Sequence, residues 1–229
     1  MPKKPGQAYK FNSEASRNLA AAAKDIGSGI VYISTDSVFD GNSRSFAERD
    51  RPNPTNVYAA SKLAGETAVQ EEAESSLVLR TNIYGWNVQE KQSLAEWVID
   101  KLEAGQTVPG FADVVFSPIL ANDLSEVILD MIALRLRGVY LGGSEACSKY
   151  EFARHVAEVF GFDTALVHPT EVAGSGLGAP RPLNTSLNTD KVSRALNRPM
   201  PNTKSGIHRF KELRDTGYVE NLRNLRGNT

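Results

Sequence analysis

Tyr58 and Lys62 stand four residues apart in the run Tyr58-Ala59-Ala60-Ser61-Lys62. On a helix that spacing puts a phenol and an ammonium on one face, one turn apart. Upstream, the β-branched and nearly apolar run Gly29-Ile30-Val31-Tyr32-Ile33 leads into Ser34-Thr35-Asp36, which brings a hydroxyl to the end of a strand. A phenol, an ammonium and a hydroxyl gathered there can pass a proton to or from a carbonyl oxygen. A free phenol, with a pKa of about 10, holds its proton too tightly for efficient acid–base work at neutral pH. A neighbouring ammonium favours the phenolate and would lower that value. The same spacing also admits a plainer reading, an amphipathic Tyr/Lys pair on a surface helix beside an ordinary strand-end hydroxyl.

The elements that would position these groups can be read from the same text. Phe11–Asp25 is expected as a helix stopped by Gly27, and Gly29–Thr35 as a strand covered on both faces. Phe39–Pro54, with its glycine, serines and prolines, reads as a loop long enough to be functional. Thr55 or Asn56 can cap the helix that carries Tyr58 and Lys62 to about Glu74. Leu77–Thr81 is a second buried strand ending at Tyr84-Gly85. Strand, helix and strand in that order imply a parallel sheet with a right-handed crossover.

Beyond it, Ser93–Ala104 is an amphipathic helix and Val114–Ile119 a short strand broken by Pro118. Asn122 is a candidate cap for a helix to about Leu136, followed by a strand at Gly138–Leu141. Ser148 and Glu151 form a capping box for a helix to Phe160, with a strand around Ala165–His168. The glycine- and proline-rich stretch Val172–Asn184 precedes short helices near Asp190–Leu196 and Ser205–Arg214, and a polar tail, Asn221–Thr229, expected to fray. Two lobes are expected, a sheet layer over 1–145 and a smaller α-rich lobe over 146–229. The boundary between them is soft, since the chain can cross back.

At 229 residues, 41% hydrophobic and 23% charged, the chain can bury one substantial core. A formal net charge of −1 gives no global attraction to nucleic acid or an anionic membrane. The single cysteine, Cys147, excludes an internal disulfide, and with no signal-like or membrane-length apolar run the chain reads as cytoplasmic. Three histidines, at 155, 168 and 208, show no metal-ligand spacing.

The wider text is more specific. Ser34-Thr35-Asp36-Ser37-Val38-Phe39-Asp40-Gly41, Asn53-Pro54-Thr55-Asn56-Val57-Tyr58 and Ser61-Lys62-Leu63-Ala64-Gly65-Glu66 resemble the extended short-chain dehydrogenase/reductase superfamily. Within it they are most similar to the dTDP-4-dehydrorhamnose reductase-like branch, as are Arg80-Thr81 and Arg181-Pro182 with Thr185-Ser186-Leu187. The resemblance runs from about Phe11 to Arg214. It implies an α/β, NAD(P)-binding Rossmann-like parallel sheet with a small C-terminal substrate lobe, and NADP(H) or NAD(H) reduction of a nucleotide-sugar 4-ketone. Tyr58 would protonate the sugar oxygen, Lys62 would bind the nicotinamide ribose and, with the cationic ring, lower the Tyr58 pKa, and Thr35 would bond the reacting oxygen. Tyr58, Lys62, Ser34 and Thr81 would face the cofactor; Thr35, Asp36 and Arg181 would face the substrate. Arg181 would grip a diphosphate, or else bridge the lobes as a salt bridge. Asn12 would help position Lys62 through water, or serve as an ordinary helix asparagine.

Departures from the branch narrow this reading. Its dehydratases carry Asp-Glu after the threonine, whereas Asp36-Ser37 stands here, which argues for reduction over dehydration. The tryptophan that follows the Arg-Thr pair in rhamnose-forming reductases is absent from Arg80-Thr81-Asn82-Ile83-Tyr84-Gly85, which is one residue shorter. Trp86 is either its substitute or a packing residue. The superfamily's opening strand, Gly-x-x-Gly-x-x-Gly and helix have no counterpart: Gly27 and Gly29 precede a strand, and Gly174, Gly176 and Gly178 lie in a proline-flanked loop. The chain is therefore expected to be a fragment of a longer gene, or to rely on a homodimer or partner chain to cover an open sheet edge. The rival function is a non-catalytic regulatory subunit, resembling the methionine adenosyltransferase beta subunit; an epimerase on the same fold is a further alternative.

Overall fold

The computed structural model describes residues 5–88, 91–173 and 182–227. An alanine-rich helical run opens the chain: α1 (Pro5–Tyr9), a π turn over Lys10–Glu14, and α2 (Ala15–Asp25). It stops at Gly27, whose φ of +67° is a left-handed conformation open to glycine. β1 (Ile30–Thr35) follows and passes into a 3-10 turn over Asp36–Val38. α3 (Val57–Glu72) carries Tyr58 and Lys62. Of the two expected caps it uses Asn56, whose Oδ1 accepts the Ala59 N–H at 2.9 Å.

β2 (Ser76–Tyr84) lies parallel to β1, with the register running from Ile30 beside Ser76 to Thr35 beside Thr81. The rest of the chain supplies α4 (Leu94–Glu103), β3 (Val108–Phe111), β4 (Val115–Phe116), β5 (Pro118–Leu120), α5 (Ala121–Ala133), β6 (Gly138–Gly142) and β7 (Cys147–Ser148). Then come α6 (Lys149–Phe160), β8 (Val167–Thr170), α7 (Asp190–Leu196), α8 (Thr203–Asp215) and α9 (Tyr218–Gly227). β2 is the central strand: β6 pairs with its first half from Leu77 to Thr81, and β5 with its second half from Asn82 to Tyr84, both parallel. β3–β8 and β4–β7 form two small separate ladders. The fold is α/β with a parallel sheet.

Two apolar clusters hold these layers. Leu77, Leu79, Ile119, Val127 and Met131 bury one face of the sheet against α5. Val98, Ile99, Phe152, Val156, Ile207 and Phe210 join α4, α6 and α8, so the second cluster draws on residues from both sides of position 145. Each large side chain buried in this way contributes roughly 1.5–3 kcal/mol.

Several elements differ from expectation. β1 is not covered on both faces: Ile30, Val31 and Ile33 are half-buried, because among the described residues β1 pairs with β2 alone and lies at an edge. Val114–Ile119 is two strands, parting at Ser117 because β4 pairs with β7 while β5 pairs with β2. Asn122 does not cap α5; Leu120 holds that position without a side-chain bond, and Asn122 Nδ2 reaches Tyr218 Oη at 3.4 Å. The tail does not fray from Asn221, since α9 continues to Gly227 with Val219 buried. The glycines at 174, 176 and 178 lie outside the described residues.

Candidate active site

The carboxyl ends of β1 and β2 and the first turns of α3 enclose a cleft of about 410 Å³. Ser34, Thr35, Asp36, Tyr58, Lys62 and Thr81 all line it, so six residues singled out by sequence meet at one place. Asn82 and Lys91, which the sequence reading did not select, line it too.

Tyr58 is 54% exposed as a residue, yet its phenol faces the concave floor of the cleft. Burial there pushes its pKa above the ordinary value; the Thr35 hydroxyl opposes this and the Asp36 charge adds to it. Solvent reaching the ring mutes the size of the shift but not its sign. The expected lowering of the Tyr58 pKa by Lys62 is therefore not what this structure has. Lys62 Nζ donates to the Ile33 carbonyl at 2.6 Å and sits 4.0 Å over the Tyr32 ring. Burial holds the Lys62 pKa below its ordinary value, with the Glu66 carboxylate pulling the other way.

Asn12 reaches this lysine through Tyr32. The Tyr32 hydroxyl donates to the Asn12 carbonyl at 2.9 Å and to the Lys62 carbonyl at 3.2 Å, while Asn12 Nδ2 donates to Ser61 Oγ at 2.9 Å. Asn12 lies in the π turn, and its carbonyl also accepts from Ser16 Oγ at 3.1 Å. Gly65 is required beside it, since a Cβ there would lie 2.0 Å from the Asn12 oxygen and 2.2 Å from the Tyr32 hydroxyl.

Ser34 spends its hydroxyl proton on Glu66, and Arg80 holds the same carboxylate with three bonds of 2.7–3.1 Å. This fully buried pair lies between α3, β1 and β2 and braces the strand that ends in Thr35. Asp36 is 1% exposed, and its carboxylate accepts from Thr185, Asn82, Thr35 and Ser37. Burial raises its pKa and the four donors oppose that rise. Asp36 lines the cleft although it is almost wholly shielded from solvent. Trp86 packs against Phe210, ring centroids 4.1 Å apart, and donates to the Phe210 carbonyl at 2.8 Å, a packing position in the second cluster. Arg181 lies outside the described residues.

A nicotinamide cofactor is the group that the sequence resemblance implies. The Thr81 hydroxyl is buried in the cleft wall without a protein partner, next to the Lys62 ammonium and the Tyr58 phenol. These groups fit the ribose and carboxamide of such a ring, polar groups that need donors and acceptors at close range. Gly27 and Gly29 precede β1, so their N–H groups do not open a helix towards a phosphate.

Residues 3–214 match the model of the RmlD substrate binding domain. The chain belongs to that family. Among curated relatives, the probable low-salt glycan biosynthesis reductase Agl14 of Haloferax volcanii is 30% identical over 89% of this chain and 69% of its own length. The dTDP-4-dehydrorhamnose reductase of Sinorhizobium fredii is 32% identical over 90% of this chain and 73% of its own. The methionine adenosyltransferase 2 subunit beta of Xenopus tropicalis is 31% identical over 83% of this chain, which spans 59% of that relative. Among solved structures, the dTDP-4-dehydrorhamnose reductase of Bacillus anthracis in complex with NADP superposes with a TM-score of 0.83 at 30% identity, over 90% of this chain and 73% of that one. A dTDP-4-dehydrorhamnose reductase from Clostridium acetobutylicum superposes with a TM-score of 0.85 at 28% identity, over 92% of this chain and 75% of that one.

Proposed function

We propose that this chain carries the proton-transfer and substrate-facing part of an NADP(H)-dependent reductase that acts on a nucleotide-sugar 4-ketone of the dTDP-4-dehydrorhamnose kind. The observation that carries the reading is the meeting of Tyr58, Thr35 and Lys62 over one cleft, where the phenol is in its protonated form at neutral pH. NADPH, when bound, would supply hydride to the carbonyl carbon. Tyr58 then gives its proton to the carbonyl oxygen, and Thr35 holds that oxygen in line. The Lys62 ammonium balances the phenolate left behind. Thr81, Lys62, Tyr58 and Ser34 are the proposed cofactor-facing residues. On the substrate side, Asp36 acts from the cleft wall, and Arg181 offers a planar guanidinium suited to a diphosphate.

The test is NADPH oxidation by the purified chain with dTDP-4-dehydrorhamnose. Tyr58→Phe should lower turnover by roughly 10²–10⁴-fold with the fold intact. Full turnover by Tyr58→Phe overturns the assignment.

A second reading has its own support in the likeness to methionine adenosyltransferase 2 subunit beta and in the half-buried outer side of β1. In that reading a second copy or a partner chain pairs along β1 and covers Ile30, Val31 and Ile33, and no turnover occurs. Light scattering decides it: a monomer that turns over the ketone rejects this reading. Both readings suit the cytoplasm, in keeping with a lone buried thiol at Cys147.

A further inference from the structure

Asp36 is a carboxylate with four donors and no cation. Thr185 Oγ1 and Asn82 Nδ2 donate to its Oδ2 at 2.6 and 2.8 Å; Thr35 Oγ1 and Ser37 Oγ reach Oδ1 at 3.2 and 3.3 Å. Among the described residues no lysine, arginine or histidine forms an ion pair with it. A bare buried carboxylate is costly, but two acceptances on each oxygen fill its lone pairs, and a ring made only of donors suits the anion. The donors arrive from three separate segments: the turn after β1, the end of β2, and residues 182–188. That last segment is stitched to the C-terminal layer, with Val115 N–H donating to the Leu183 carbonyl at 2.8 Å and Thr185 N–H to the Val115 carbonyl at 2.9 Å.

Thr35 has one hydroxyl proton. Given to Asp36, it leaves the Thr35 oxygen to accept, as it does from the Ser37 N–H at 3.2 Å. A phenolate at Tyr58 would need the same proton. Asp36 and an ionised Tyr58 therefore compete for one hydrogen, and the negative charge of Asp36 opposes a second negative charge nearby.

Resting on the assignment of Tyr58 as the proton donor, we propose that Asp36 is the positioning residue of this site. Its carboxylate holds the Thr35 hydroxyl proton at the wall of the cleft that Tyr58 also lines, and Thr185 anchors that carboxylate to residues 182–188. The acid form of the site is thereby tied to the docking of residues 182–188. The other titratable groups around the phenol are Tyr32 of β1, Lys62 and Glu66 of α3, and Lys91 across the cleft.

The experiment needs neither cofactor nor substrate. The phenolate absorbance step of Tyr58 is isolated as the difference between each protein and its Tyr58→Phe counterpart, read just after a pH jump while the fold persists. Asp36→Asn should move the Tyr58 step to lower pH by about one unit or more. Thr185→Val, which loosens Oδ2, should move it the same way by less, and Thr185→Ser should restore it; a mere packing role for Thr185 predicts no such pattern. In turnover, Thr185→Val should lower kcat roughly tenfold at unchanged KM. If Asp36→Asn does not fold, the Thr185 pair decides. An unmoved Tyr58 step overturns the assignment of Asp36. A moved step in a chain that reduces no ketone overturns the reductase reading and leaves Asp36 in its role.

Discussion

The parallel sheet ends in β1 on one side and in β6, beside the short β5, on the other, and β1 and β6 are finished differently. On β6, the Glu48 carboxylate accepts the Leu141 N–H at 3.2 Å, and Lys191 Nζ donates to the Val139 carbonyl at 2.6 Å while lying 4.0 Å over the Tyr140 ring. On β1, Lys62 Nζ donates to the Ile33 carbonyl at 2.6 Å and lies 4.0 Å over the Tyr32 ring. The two lysines do the same physical work: an ammonium satisfies a strand carbonyl and rests on the aromatic face of a residue next to it in the strand. The β6 edge, however, is closed by residues with no other duty, whereas the β1 edge is served by the lysine that the proposed chemistry requires. Lys62 has three N–H donors; one goes to Ile33, which leaves two for a ribose or a phenolate. Stability and chemistry therefore draw on one side chain at β1 and on separate ones at β6.

The largest expected effect lies on the inner side of β1. Glu66→Ala leaves Arg80 buried and unpaired, and should cost about 3–5 kcal/mol in urea unfolding; a loss near zero would mean that β1 is braced by other contacts. Next, Lys62→Met and Lys191→Met should each cost about 1 kcal/mol, but only Lys62→Met should also abolish ketone reduction. Equal stability loss with unequal activity sharpens the contrast, and an unchanged unfolding midpoint for Lys62→Met breaks it.

The effect that is smallest at neutral pH, and grows only in alkali, lies just past β6 at Cys147. Burial raises its thiol pKa from 9.0 to about 12. Unfolded chains lose that proton first, so stability is full below the ordinary thiol value and falls as pH rises through this window, by at most about 1.4 kcal/mol per unit. Cys147→Ala should flatten the decline in urea midpoints measured across the window, and an identical slope would show that other groups carry it.

What the sequence disclosed followed physical range. The Tyr58/Lys62 face, the Ser148–Glu151 capping box and the apolar run at Leu77 are set by neighbours within a turn or a strand, and each stands where the text puts it. β3 was hidden because Val108-Pro109-Gly110-Phe111 carries two residues that usually interrupt strands. Lys91 and Asn82 gave no local signal, because their value lies in meeting Thr35 and Tyr58 across the cleft. The partners of Asp36 were equally invisible: Thr185 lies 149 positions away. The direction of the Tyr58 shift follows from the burial of its phenol in the cleft, which spacing alone does not encode.

The π turn at Lys10–Glu14 has a consequence for how this helix can change length. A π turn holds one residue more than the α turn it replaces, so everything after it is rotated by about 100° relative to an uninterrupted helix. Ala20 is the sole buried residue of α2, so it marks the side of the helix that this offset must keep against the core. Deleting a single residue between Lys10 and Glu14 would restore an ordinary helix and swing Ala20 towards water. The helix is in this sense keyed: its length before the bulge sets which side of α2 the rest of the molecule meets, and insertions or deletions there act as rotations rather than as extensions.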